Sequence, residues 1–316
     1  MKLIVESGAT KADWTLIQEG GQVLSFQTGG LNFSSGDEEF VFRTLEEGAG
    51  KVLDITDSEI PEEVNVYAAG LFPSEEAGSP YQMLNTTLSN KFPGAAIQLE
   101  NDLMAAARAL FDKKPGIACI LGTGSNTCVY DGASIVKKVP SGGFILGDEG
   151  SASALGKRFI EDYIKGLVPE CVALAFAEKY DMSYPAIVQS VYHGNSPAAY
   201  LGKFAPDILA FYDTNSYMQN LIDENFRSFF ERCVVRFIKP GTGDCPVTAC
   251  VAGNVDEWAG IADKQLPLGI VGGFGYACRS IIGRMAADYG IADITFLAAP
   301  AERLIRYHQT PSLRSE

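Results

Sequence analysis

The feature that most constrains the fold is a pair of apolar runs, each interrupted by a turn of small residues. Residues 2–17 read KLIVE, then SGATKA, then DWTLI, and residues 117–130 read IACIL, then GTGSN, then TCVY. Each pattern predicts a β-hairpin. Small residues in such turns leave backbone N–H groups uncovered, and concavities of that kind bind anions. One such hairpin alone is more typical of ordinary structure, but two indicate an α/β protein with two similar halves.

Length, charge and cysteine content limit the class of protein. The chain has 316 residues, of which 47% are hydrophobic, and can bury the cores of two domains. Its net charge of −14 argues against nucleic-acid and anionic-membrane partners, because both need a basic surface. Most cysteines lie in apolar runs, and Cys245 and Cys250 lack C-x-x-C spacing. We therefore expect reduced thiols in a cytoplasmic protein, without a zinc or iron–sulfur site, a targeting signal or a membrane span.

Between the two hairpins the pattern alternates strands and helices. Strands are predicted at 22–27, 64–70 and 95–99, and helices at 37–53 and about 74–91. The first half of the chain therefore has the predicted order βββαβα.

Asp102 follows the last of these strands and opens the next helix. An aspartate there is first of all an N-cap that satisfies free N–H groups. The same place is the carboxyl end of a strand, where open α/β sheets bind ligands. The two interpretations are compatible.

A third motif, SGGFILGDEGSA, occupies residues 141–152. Its glycines let the backbone approach a ligand closely, and the Asp148 carboxylate can accept hydrogen bonds from two neighbouring hydroxyl groups. Glu149 is interpreted as an acid in the first turn of the next helix, complementing the helix dipole. Contact with the same ligand is its alternative role.

Taken together, ESGATKADW, LGTGSN and GGFILGDEGSASALG resemble the N-acetylglucosamine kinase-like branch of the BadF/BadG/BcrA/BcrD ATPases. This branch lies within the sugar kinase/Hsp70/actin superfamily. The resemblance extends over most of the chain, to residues 300–308. It implies two RNase H-like (actin-like ATPase) domains around an interdomain cleft, the second enriched in helices. The first domain is predicted at 1–114, completed by a C-terminal helix at about 298–316, and the second at 115–297 with a helical insertion.

The resemblance also implies a function and a set of site residues. The chain is expected to phosphorylate a sugar, most plausibly N-acetylglucosamine or a related amino sugar, with ATP and Mg²⁺, and to form a homodimer. Glu6 lies at a strand end, where a carboxylate can hold hydrated Mg²⁺ against phosphate oxygens. The predicted ATP-binding residues are Ser7, Gly8, Thr10, Lys11, Gly122, Thr123, Gly124, Ser125, Gly272 and Gly273. The predicted sugar-binding residues are Asn32, Gly70, Asp102, Gly143 and Asp148, with Asp102 as catalytic base.

Some of these assignments have competing interpretations. Asn32 is equally consistent with a role in capping the next helix. Two strand–glycine elements, at 251–255 and 271–277, compete as the adenosine site, and packing between helix and strand explains either. We favour Gly272 to Gly275, which makes residues 242–265 an insertion.

Residues 169–238 are predicted to be helical, with breaks near 184–185, 193–195 and 213–214. One long apolar stripe runs through this region and is expected to form core or dimer contacts. The stripe consists of Leu221, Phe226, Phe229, Phe230, Val234, Val235 and Phe237.

Two other functions remain open at this point. The first is an ATPase that activates a partner enzyme, although no cysteine pair for an interface iron–sulfur cluster is evident. The second is a non-catalytic protein that responds to a sugar or nucleotide. It is favoured by Glu6, Ala9 and Ala12, which depart from the DSGSTKTD pattern of the resembling kinases.

Overall fold

The computed structural model describes residues 1–8, 11–33, 38–238 and 266–309. Several sequence predictions lie outside these residues. They are the phosphate-binding role of Thr10, the adenosine candidate at 251–255 and the insertion proposed at 242–265.

The described residues form two compact units. Unit 1 comprises Met1–Ala109 and the chain from Pro300, and unit 2 comprises Leu110–Ala299. Each unit contains a five-stranded mixed sheet with helices, which confirms the predicted α/β class.

In unit 1 the strand order is β3-β2-β1-β4-β5. β1 pairs antiparallel with β2, which pairs antiparallel with β3, whereas β4 and β5 run parallel to β1. The carboxyl ends of β1, β4 and β5 therefore lie at one edge of the sheet. The strands are Lys2–Ser7, Lys11–Ile17, Val23–Gly29, Glu63–Ala68 and Ala96–Asn101, and the helices α1 to α3 are Glu38–Ile55, Pro80–Lys91 and Asp102–Phe111.

The second helix begins later than predicted. The sequence pattern placed its start near Ser74, whereas α2 begins at Pro80. Ser79 is the N-cap, and its side chain accepts a hydrogen bond from the Gln82 amide. Proline suits this position because it has no N–H to leave unsatisfied and its φ is already helical.

The two faces of the unit 1 sheet differ in polarity. Val5, Trp14 and Val66 are fully buried in a core shared with α1 and α2. Because side chains alternate along a strand, Glu6 and its register partner Tyr67 lie on the opposite face. That polar face leads towards the carboxyl edge of the sheet.

In unit 2 the strand order is β8-β7-β6-β9-β10, with the same pattern of antiparallel and parallel pairs as in unit 1. This repetition accounts for the two similar halves in the sequence. The strands β6 to β10 are Gly116–Leu121, Ser125–Tyr130, Ile135–Val139, Leu268–Val271 and Ile294–Leu297.

The helices of unit 2 lie mostly between its third and fourth strands. A π-helical segment at Phe230–Val234 separates α10 from α11. The apolar stripe of this region lies in the core, with all its members buried except Val235, which is half-buried. Helices α4 to α13 are Gly143–Leu146, Ala152–Tyr163, Glu170–Lys179, Tyr184–Tyr192, Pro197–Gly202, Ala205–Ala210, Ser216–Phe229, Val235–Ile238, Gly273–Ala277 and Arg279–Asp288, and the last helix, α14 at Ala301–Gln309, belongs to unit 1.

We expect Gly48→Ala to lower the free energy of unfolding by about 1–3 kcal/mol. A Cβ added at Gly48 in α1 would lie 2.1–2.6 Å from ring atoms of Trp14. The Trp14 ring cannot yield easily, because it is fully buried and its Nε1 donates a hydrogen bond to Thr28 Oγ1 at 2.9 Å.

Gly50→Ala is the matched control in the same helix. A Cβ at Gly50 meets no atom within 4 Å, so the gain in helix propensity should stabilise the protein by ~0.4–1 kcal/mol. Urea unfolding followed by tryptophan fluorescence measures both variants. A Gly48→Ala variant as stable as the wild type would contradict the packing described.

Candidate functional site

At the carboxyl edge of the unit 1 sheet, two hydrogen bonds hold the loop that carries Asn32, and a third joins the chain segments on which it rests. The Leu31 amide donates to Ser7 Oγ at 2.6 Å, and the Phe33 amide donates to the Ala69 carbonyl at 2.9 Å. The Ala69 amide in turn donates to the Ser7 carbonyl at 3.0 Å. The predicted sugar residue Asn32 is therefore fixed beside the ends of β1 and β4.

Gly70 lies in the same place. It follows Ala69 with a φ of +72°, a left-handed conformation that glycine adopts without strain. The structure thus brings Ser7, Asn32 and Gly70 together. The Ser7 side chain is fully buried and its hydroxyl is bonded within the protein, so it supports the Asn32 loop.

The first predicted phosphate turn closes between Gly8 and Lys11. The Gly8 amide donates to the Lys11 carbonyl at 3.1 Å, and a side chain at Gly8 would meet no atom within 4 Å. The Lys11 side chain is exposed, and its Nζ lies 3.1 Å from Asp13 Oδ2.

Three carboxylates gather at the end of β1. Burial raises the pKa of Glu6 to about 7, with further contributions from the charges of Asp13 and Asp102, while Lys11 acts in the opposite direction. The predicted base Asp102 and the predicted magnesium residue Glu6 are therefore close enough to interact electrostatically. Their combined negative charge makes this edge of the sheet suited to a cation or a proton.

Asp102 is the first residue of α3, but it is not the residue shown to cap it. Asn101 Oδ1 accepts the hydrogen bond from the Met104 amide at 2.9 Å, so Asn101 satisfies the helix N-terminus. The N-cap interpretation of Asp102 is corrected in this respect: Asn101 supplies the side-chain cap. The position of Asp102 in the first turn still favours its negative charge, because the helix dipole is positive there.

A buried polar network, which the sequence did not reveal, lies on the same sheet face. The Arg108 guanidinium donates to Tyr67 Oη at 2.7 Å and to Glu100 Oε1 at 3.1 Å. Tyr67 Oη also lies 2.8 Å from His308 Nε2. Burial lowers the pKa of His308 to about 4, as does the charge of Arg108, so this imidazole is neutral near pH 7. The network connects β4, β5 and α3 to α14.

In unit 2 the second predicted phosphate turn, residues 122–125, is held by the start of α5. The Ala152 amide donates to the Gly122 carbonyl and the Ser153 amide to the Thr123 carbonyl, each at 3.0 Å. The Gly122 amide donates to the Gly124 carbonyl at 3.0 Å. Within the part of the chain that the structure describes, the amides of Thr123 and Gly124 have no acceptor. They are the two donors of this turn that remain for an anion.

The third motif contacts this turn directly. Asp148 is buried, and its Oδ1 accepts the hydrogen bond of the Ser125 amide at 3.0 Å. Burial raises the pKa of the Asp148 carboxyl, while the Ser125 N–H acts in the opposite direction. Gly143 opens the short helix α4 with a φ of +66°. The predicted sugar contacts of Gly143 and Asp148 stay predictions.

Glu149 does not have the structural role that the sequence suggested. It lies two residues before Ser151, the N-cap of α5, rather than in the first turn of the helix. Its Oε1 accepts a hydrogen bond from Arg232 at 2.9 Å. A surface ion pair therefore takes the place of the predicted dipole interaction.

The glycines favoured for adenosine lie against the second phosphate turn. Gly272 has a φ of +130°, and an added Cβ would lie 2.4 Å from the Leu121 carbonyl oxygen and 3.2 Å from the Gly122 nitrogen. Only glycine allows this close approach. Gly273 is exposed at the start of α12, where an added Cβ would meet no atom within 4 Å.

Metal-binding clusters and membrane-spanning helices are both absent from the described residues. Among the described residues, no group of three or more His, Cys, Asp or Glu side chains is arranged to ligate a metal ion. None of the helices in these same ranges has the length and apolar character needed to span a bilayer.

Solved structures with this architecture include one from Porphyromonas gingivalis, described as a putative N-acetylglucosamine kinase. It is 32% identical to this chain, the alignment covers 98% of each chain, and the TM-score is 0.80. The chain belongs to the family of that protein. The likeness also confirms the predicted fold class of two actin-like ATPase domains.

More distant structures share this fold. A putative N-acetylglucosamine kinase from Chromobacterium violaceum is 17% identical over 98% of each chain, with a TM-score of 0.69. A ROK family transcriptional regulator, a homologue of the E. coli MLC protein, is 12% identical over 96% of this chain and 78% of that chain, with a TM-score of 0.58. No family model and no curated protein matches the chain. Its place in the BadF branch stays a prediction.

We expect Glu6→Gln to gain stability relative to the wild type as the pH rises. Folded Glu6 ionises only at about pH 7, whereas its ordinary pKa is 4.5. Glu6 therefore makes its full contribution to the free energy of unfolding of the wild type below its ordinary pKa, where it is neutral in both the folded and the unfolded chain. That contribution is lost as the pH rises through about 7. Glutamine cannot ionise, so the Glu6→Gln variant does not lose this contribution. The difference in free energy of unfolding between the variant and the wild type should therefore favour the variant more at about pH 8 than at about pH 4.5.

Urea unfolding at the two pH values measures this difference. Glu46→Gln, at an exposed position of α1, is the control and should show the same difference from the wild type at both. A pH-independent difference for Glu6→Gln would show that Glu6 is not buried among the carboxylates described.

Proposed function

We propose that the chain is an ATP-dependent kinase that phosphorylates a hydroxyl of N-acetylglucosamine or a related amino sugar. The observation that carries the proposal is the electrostatic interaction of Asp102 with Glu6 at the same sheet edge as Asn32 and Gly70. This edge combines a candidate base, a candidate cation site and hydrogen-bonding groups for a polyol. The sugar class is suggested by the related protein from P. gingivalis.

Phosphoryl transfer of this kind depends mainly on positioning and charge stabilisation, because its transition state is loose. In the proposed mechanism Asp102 orients the acceptor hydroxyl and takes its proton as the oxygen–phosphorus bond forms. The amides of Thr123 and Gly124, the turn at Gly8 and the Lys11 ammonium bind phosphate oxygens. Asn32, Gly70, Gly143 and Asp148 are the proposed sugar contacts.

Magnesium fits the residues present. Carboxylate oxygens are ligands that Mg²⁺ prefers, and it usually retains several waters. The raised pKa of Glu6 reflects burial and the neighbouring negative charges, which a cation would offset. Glu6 would hold the ion through water, and bound Mg²⁺ would neutralise charge on the phosphates. Homodimer formation and a cytoplasmic location stay predictions.

Asp102→Asn should lower kcat about 10²–10⁴-fold, the contribution typical of a general base. ATP affinity and thermal stability should remain near wild type, since asparagine has nearly the same shape. Sugar-dependent ADP release measures turnover, and calorimetric titration measures ATP binding.

Asp54→Asn, at an exposed position of α1, is the matched control and should leave turnover unchanged. Turnover of Asp102→Asn within tenfold of the wild type would exclude Asp102 as the base.

When hexoses and amino sugars are compared as substrates in the ADP-release assay, N-acetylglucosamine or a close amino sugar should give the highest kcat/KM. The same ADP-release assay distinguishes the other functions. If ADP is released at the same rate with and without each sugar, the result would favour an ATPase that activates a partner enzyme. Binding of sugar or ATP without turnover would favour a non-catalytic responsive protein.

A further inference from the structure

We infer that Asp148 is a positioning residue for the second phosphate turn, whose carboxylate fixes the Gly124–Ser125 peptide so that the Thr123 and Gly124 amides stay aimed at a bound phosphate. The inference rests on the proposed function for the identity of the ligand. It gives Asp148 a role in addition to its proposed sugar contact.

The directions of two amides follow from the planarity of the peptide bond. In a trans peptide, the C=O of one residue and the N–H of the next point in opposite directions. The Gly122 and Thr123 carbonyls accept hydrogen bonds from Ala152 and Ser153 at the start of α5. The N–H groups of Thr123 and Gly124 therefore point away from α5.

The next peptide has the opposite orientation, and Asp148 determines it. The Ser125 N–H points to Asp148 Oδ1, so the Gly124 carbonyl points the other way, where it accepts from the Gly122 amide. The carboxylate also packs on Gly124, because a Cβ added there would lie 3.1 Å from Oδ2 and 3.2 Å from Oδ1. Without Asp148, the buried Ser125 N–H loses its acceptor and this peptide is no longer fixed.

Asp148 has an unfavourable backbone conformation, which is consistent with a need for its side chain at this position. Its φ of +58° is left-handed, which is unfavourable for any residue with a Cβ although aspartate and asparagine tolerate it best. The Asp148 amide donates to the Ser141 carbonyl at 2.8 Å, and its carbonyl accepts from Ser151 at 3.0 Å. Glycine would suit the backbone better but would supply no acceptor for Ser125.

Two substitutions distinguish the effect of the hydrogen-bond acceptor of Asp148 from the effect of its negative charge. Asp148→Gly relieves the left-handed backbone and removes the acceptor, whereas Asp148→Asn retains an amide oxygen that can accept from Ser125. We expect Asp148→Gly to weaken ATP binding by about 10–100-fold, since a hydrogen bond to a charged group is lost. Asp148→Asn should bind ATP within about threefold of the wild type.

Asp131→Gly is the matched control. Asp131 Oδ1 likewise accepts backbone amides, from Ala133 and Ser134 at 2.7 Å, but in the hairpin between β7 and β8. Its loss should leave ATP affinity unchanged. Calorimetric titration with ATP and with N-acetylglucosamine measures binding without requiring turnover.

Hydrogen exchange of the Ser125 amide in the free protein tests the contact independently of any ligand. We expect protection in the wild type and in Asp148→Asn, and at least tenfold faster exchange in Asp148→Gly. Unchanged ATP binding in Asp148→Gly would overturn the inference, and weakened sugar binding in both variants would then leave Asp148 with the sugar contact alone. Protection of Ser125 in a wild-type protein that binds no ATP would refute the proposed function while leaving the hydrogen-bonded arrangement intact.

Discussion

Parallel pairing is the constraint on which the candidate site depends. In unit 1, β4 and β5 run parallel to β1, and in unit 2, β9 and β10 run parallel to β6. Strands paired in this way end at the same edge of a sheet, where α/β proteins bind ligands. Glu6, Gly70 and Asp102 come from strand ends far apart in sequence, and parallel pairing brings those ends to one edge.

The two units use this edge differently. In unit 1 it carries charge: three carboxylates lie close enough for burial and mutual repulsion to raise the pKa of Glu6 to about 7. In unit 2 it carries oriented backbone dipoles, because α5 and Asp148 fix the peptides of the turn at residues 122–125. Acid–base chemistry needs the first arrangement and anion binding the second. Two sheets of the same topology therefore present two chemically different edges.

The polar network around Arg108 shows how a charged group is accommodated inside unit 1. A buried guanidinium is costly unless it is paired and hydrogen-bonded. Tyr67 and Glu100 supply hydrogen bonds, and the ring of Tyr307 lies 5.3 Å from the guanidinium carbon. Because Arg108 belongs to α3 and Tyr307 to α14, the same contacts hold two helices against the sheet. The first residue of α3 is Asp102, so this network helps to set the position of the candidate base.

The sequence by itself determined the hairpins, the α/β class and the elements of unit 1 between them, because alternating apolar residues and small turns are local signals. It also predicted binding roles for Glu6, Asn32 and the glycine turns, and these roles stay predictions. It misplaced the start of α2, assigned a cap to Asp102 that Asn101 supplies, and gave Glu149 a helix-dipole role. These errors concern choices between neighbouring residues, which tertiary contacts decide.

Only the tertiary structure decided which groups meet. Tyr67 and His308 are 241 positions apart, and Asp148 and Ser125 are 23 apart. No periodicity in the sequence reports such pairs, since their contact follows from how whole strands and helices pack. The sequence predicted a role for Asp148, but only the structure shows that its carboxylate accepts the hydrogen bond of the Ser125 amide.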